Sequence, residues 1–88
     1  MQNKKIAPRT LQDKLEELRH ACHEIQSGKI EVLAEELKGV SLNIKVDGSL
    51  AEIHNLIMSF DYDLAIDKIN KLLKFLKTMW GLNNPPNE

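Results

Sequence analysis

Ala34-Glu35-Glu36-Leu37-Lys38-Gly39-Val40-Ser41-Leu42-Asn43-Ile44 is the stretch on which the fold turns. Just before it and through it, Ile30, Leu33, Leu37 and Val40 recur at spacings of three and four. That is one face of an amphipathic helix, predicted from about Lys29 to Ser41. Gly39 falls inside this helix. A Gly there costs about 1 kcal/mol relative to Ala, unless the backbone must be approached closely. Glu35 stands two positions, roughly 200°, from both Leu33 and Leu37, so it points to solvent. Lys38 and Gly39, three and four residues on, border it on the same exposed side.

Toward the N-terminus, residues 1–9 read as a flexible tail ending near Pro8. Thr10 is a good N-cap, with Asp13 placed to favour the positive helix end. Leu11, Leu15, Leu18, Cys22 and Ile25 then form an apolar stripe, and Ser27-Gly28 closes the helix. On the other side, Asn43 to Gly48 reads as a connection. Ile44 and Val46 alternate, but a short strand there has nothing to pair with. Ser49-Leu50-Ala51-Glu52 has the form of a capping box. It opens a third helix with Leu50, Ile53, Leu56, Ile57 and Phe60 facing inward. Asp61 is the next N-cap. The fourth helix carries Ala65, Ile66, Ile69, Leu72, Leu73, Leu76, Met79 and Trp80 to Gly81. Residues 82–88 read as a disordered tail. Four amphipathic helices with short links predict an all-α, antiparallel four-helix bundle forming one domain over residues 10–81.

The 88 residues hold one domain with a small core, so its stability margin is thin. The net charge is -1 and the pI near 6.3, which argues against nucleic-acid binding. No apolar run is long enough to span a bilayer. The polar N-terminus Met1-Gln2-Asn3-Lys4-Lys5 lacks the apolar segment of a signal peptide. The lone Cys22 permits no internal disulfide and suits a reducing, cytoplasmic setting. No motif for an enzyme, a cofactor or a small-molecule substrate is present.

The run Leu37-Lys38-Gly39-Val40-Ser41-Leu42-Asn43-Ile44 resembles the signature of histidine phosphotransfer domains of bacterial phosphorelays. There a His is followed three residues on by Lys and four on by Gly. The later run Leu56-Ile57-Met58-Ser59-Phe60-Asp61-Tyr62-Asp63-Leu64-Ala65-Ile66 is similar to the C-terminal helical segments behind receiver domains in hybrid sensor histidine kinases. Together the resemblance covers roughly residues 11–76. It departs from the family where the chemistry lies, because the phosphate-accepting His falls on Glu35. None of His20, His23 and His54 has a Gly four residues on. The resemblance therefore implies a phosphotransfer-like domain that recognises a receiver domain or a histidine kinase without carrying phosphate. Glu35, Lys38, Gly39 and Leu42, on the exposed side of the second helix, are the expected partner-binding residues. Glu35 either supplies a permanent negative charge or blocks the site. A solvated helix face with a tolerated Gly is the plainer alternative.

Other constellations are weaker. Asp61, Asp63 and Asp67 precede Lys68, Lys71, Lys74 and Lys77 on the fourth helix, an order that suits the helix dipole. The same lysines could form a basic strip for an acidic partner. His20 and His23 share a face near Cys22, but further ligands for a metal are lacking, so no metal is expected. Ser49 faintly resembles the modified Ser of acyl carrier proteins, with Gly48 spoiling the motif; capping explains it better. A structural module that forms a homodimer or anchors an assembly through the fourth helix, sensitive to substitution of Leu76 or Trp80, is the remaining alternative.

Overall fold

Four α-helices carry the chain: α1 (Pro8–His23), α2 (Ser27–Lys38), α3 (Ile44–Met58) and α4 (Tyr62–Trp80). Two short strands accompany them, β1 (Lys4–Lys5) and β2 (Val40–Ser41). The computed structural model describes residues 4–80, with side chains for 5–79. The class is all-α. The helices pack in a ring: α1 on α2, α2 on α3, α3 on α4, and α4 back on α1. Each contributes its apolar stripe to one core. Leu11, Leu15, Leu18, Ile30, Ile53, Ile69 and Leu76 are its largest fully enclosed apolar side chains. These are positions the periodicity placed inward, and no polar side chain is buried among the described residues.

The N-terminal segment departs from the expected tail. Lys4 and Lys5 pair in parallel with Val40 and Ser41, and the Ile6 N–H donates to the Ser41 carbonyl at 3.1 Å. Ile6 packs against the core. The helix starts at Pro8 rather than after a Thr10 cap. Ala7, extended at φ -72° and ψ 143°, is the capping position and makes no side-chain cap bond. Proline suits the first helical turn because its fixed φ is already helical and an N–H there has no partner to lose. The expected end of the fourth helix at Gly81 and the tail 82–88 lie outside the described residues.

Two helix ends share one device. At the end of α1 the Gln26 N–H donates to the Ala21 carbonyl at 2.9 Å, and the Ile25 N–H to the Cys22 carbonyl at 3.2 Å. At the end of α3 the Asp61 N–H donates to Leu56 at 2.8 Å, and the Phe60 N–H to Ile57 at 3.0 Å. Both are Schellman closures, which need a left-handed residue after the cap, usually Gly. Here the residues are Ile25 (φ 52°) and Phe60 (φ 60°). The closure turns both side chains outward, so Ile25 is 65% exposed and Phe60 78% exposed. The inward positions predicted for both are corrected accordingly, and Ser27-Gly28 opens α2 instead of closing α1.

The third helix also starts earlier than expected. Asn43 is extended, and its Oδ1 accepts from the Val46 N–H at 2.9 Å, a side-chain cap. Ser49 therefore lies inside the helix, and its predicted capping role is overturned. Asp47 in the first turn of α3 accepts twice from the incoming chain. The Ser41 Oγ donates to Oδ2 at 2.6 Å and the Leu42 N–H to Oδ1 at 2.9 Å. The carboxylate also faces the positive end of the helix dipole. Before α4, the Asp61 carbonyl takes the Ala65 N–H at 3.0 Å, which puts Asp61 at the predicted capping position.

Candidate functional site

Helix α2 divides into a buried and an exposed side as its periodicity requires. Leu33, Ala34 and Leu37 are buried, and Glu35, Glu36 and Lys38 are exposed. The two adjacent glutamates differ in their surroundings. Glu36 is held by Lys14 of α1, Nζ to Oε1 at 2.8 Å. The hydrogen bond to Glu36, and then its charge, raise the Lys14 pKa above its ordinary value. Glu35 and Lys38 form no ion pair among the described residues. Both charges are therefore open to a partner, separated by one helical turn.

Gly39 is the C-cap of α2, not an interior residue. Its φ is -93° and its N–H donates back to Glu36 and Leu37. A Cβ built there would meet only the Glu36 carbonyl oxygen, at 3.8 Å. Neither backbone angle nor crowding inside the domain demands glycine. The interior-helix penalty expected for Gly39 does not arise, because the helix stops at Lys38. Leu42 is also corrected. It lies beyond β2, off α2, half-buried and packed on the core, with its N–H held by Asp47. Glu35, Lys38 and Gly39 share the outer C-terminal end of α2, and Leu42 does not belong to that face.

Beside Lys38 a groove of about 270 Å³ separates the end of α2 from α3. Leu37, Val40 and Leu50 give it an apolar floor; Lys38, Asp47 and Asn55 give it polar edges. His54 also lines it, and its Nδ1 is buried without a hydrogen-bond partner among the described residues. Sequence reading missed the contributions of Val40 and Asp47. The available signal was Asp47 following Asn43 by four residues, one turn inside a helix that Asn43 could cap.

No described cluster of His, Cys, Asp or Glu is able to hold a metal ion. His20 and His23 are exposed at the end of α1 and Cys22 between them is buried, so the three do not converge. Burial raises the Cys22 pKa. No helix among the described residues is long and apolar enough to cross a membrane. Leu76, one of the two residues suggested for a dimer contact, is fully enclosed in the core, and the Trp80 side chain lies outside the described set. The chain matches no known protein family, and no curated protein or solved structure is similar to it.

Proposed function

We propose that this chain is a non-catalytic interaction domain of two-component signalling, an antiparallel four-helix bundle of the histidine phosphotransfer kind. It binds a receiver domain or a histidine kinase in the cytoplasm and modulates phosphoryl flow without carrying phosphate. One observation carries the reading. Glu35, which the sequence resemblance sets against the family's phosphorylated His, is exposed, forms no ion pair among the described residues, and stands one turn before an exposed Lys38, beside the glycine at which the helix stops. Contacts across α3 and α4 favour the bundle form. Glu52 meets Lys68 and Lys45 meets Phe75, so sequence order reverses between the two helices. Glycine at position 39 has no internal cause, and a closely approaching partner backbone supplies one.

The test is titration of the purified domain against receiver domains and histidine kinases from phosphorelays. The expected result is binding that weakens at least about tenfold in Glu35→Lys and in Gly39→Trp, with no phosphoryl group gained from a phosphorylated donor. Absence of binding at about 100 μM, a weak affinity by any standard, refutes the proposal. So does an affinity that neither substitution changes. A concentration-dependent dimer insensitive to both variants would favour the structural alternative.

A further inference from the structure

We propose that the groove between α3 and α4 docks an acidic amphipathic helix supplied by another protein. This surface lies on the α4-facing flank of α3, and of the residues lining the groove beside Lys38 only Asn55 also borders it. Two hollows of about 200 and 270 Å³ share Glu52 and Lys68, so they form one furrow. Its floor is apolar: Leu56 is half-buried, Leu72 is buried, and Phe75 is half-buried with its ring turned to the furrow. Its rims carry three lysines, Lys45 on α3 at the level of Phe75, and Lys68 and Lys71 on α4, with Lys68 at the level of Glu52.

Charge decides what fits. Lys45 lies 5.6 Å from the centre of the Phe75 ring, a cation–π neighbour rather than a carboxylate. Lys68 bridges the furrow to Glu52 at 3.2 Å, and Lys71 reaches Asp67 at 3.4 Å. All four bridging side chains are at least 40% exposed. Such pairs are weak and exchange readily for an incoming carboxylate. Glu52 is the only acidic residue lining the furrow among the described residues. The walls from Lys45 to Ser59 run for roughly 21 Å at the helical rise, the length of a helix of about 14 residues. An apolar stripe at helical spacing fills the floor, and acidic flanks meet the lysines, as in other helix-in-groove recognition. A nucleic-acid strand fits less well, since Glu52 sits at mid-furrow and the rims are one lysine deep.

The test uses fluorescence anisotropy with a labelled peptide of about 14 residues carrying Leu at helical spacing and Glu on both flanks. Three comparison probes are the same peptide with Lys for Glu, an acidic peptide without the Leu stripe, and a single-stranded RNA oligonucleotide. The expected result is selective binding of the acidic amphipathic peptide, with added helical signal on mixing. Lys45→Glu together with Lys71→Glu, exposed positions that leave the core intact, should weaken it at least about tenfold. Phe75→Ala should weaken it as well, and Glu35→Lys should not change it. The proposal is overturned by no binding up to about 1 mM. Equal binding of the basic peptide or the RNA overturns it too, as does insensitivity to the double charge reversal. A Glu35→Lys effect equal to that of the double reversal would place the peptide on α2 and also overturn it.

Discussion

Replacing Gly39 with Ala should stabilise the domain. The added Cβ meets only one atom within 4 Å, the Glu36 carbonyl oxygen at 3.8 Å, which is ordinary contact. The φ of -93° is open to any L residue. The folded state therefore accepts the methyl group without strain. The unfolded chain loses conformations, which favours folding by about 0.4–1 kcal/mol. For a domain of this size each kcal/mol shifts the midpoint by roughly 4–8 °C, so the variant should melt about 2–8 °C higher. Thermal and urea unfolding followed by far-ultraviolet circular dichroism measure it, with an unchanged urea slope as the control for an unaltered native state. A lower midpoint would refute the reasoning, because it would mean that position 39 needs glycine for the fold itself. A higher midpoint combined with unchanged folding of Gly39→Trp isolates partner approach as the remaining use of the glycine.

Asp47→Ala removes the acceptor of two hydrogen bonds and a charge at a helix start, and should cost about 1–3 kcal/mol in urea unfolding; no loss would mean that the clamp is solvent-replaced. Ile25→Asn puts a residue that tolerates the left-handed region where a β-branched one now sits, and should raise stability by about 0.5–1 kcal/mol, since Ile25 is mostly exposed. Cys22 has its pKa raised by burial, so the folded state prefers the neutral thiol. Its contribution is complete below the ordinary thiol pKa and lost as pH rises through the raised value. Cys22→Ala should therefore flatten the alkaline loss of stability, and an identical alkaline profile would contradict the burial effect.

The helices were legible wherever a stripe repeats. Leu11, Leu15 and Leu18, or Ile53 and Ile57, each recur at three or four residues, and burying that face is the dominant driving force. The helix ends were less legible. Ile25 and Phe60 continue their stripes in spacing, yet the chain closes around them by backbone hydrogen bonds that carry no side-chain signature. Without Gly at the left-handed position, nothing local announces the stop. The same ambiguity displaced the start of α3. Ser49 and Glu52 have the right chemistry for a cap, but Asn43 comes first and Asp47 locks it. The β1–β2 pairing joins residues far apart in sequence, so no local pattern encodes it. At the candidate site, solvent exposure of Glu35 and Lys38 followed from the angle to Leu33 and Leu37. The position of Leu42 did not, because it depends on where α2 stops.

The parallel pairing of Lys4 and Lys5 with Val40 and Ser41 pins the start of the described chain to the α2–α3 connection. Lys4, paired with Val40, lies at the end of α2, next to Gly39. A partner fused ahead of this strand by a short linker would be held next to the end of α2, at an effective concentration of about the millimolar range. Contacts too weak to survive between separate molecules would then be occupied most of the time. In such a fusion, breaking the two-residue pairing would loosen the tether without altering Glu35, Lys38 or Gly39.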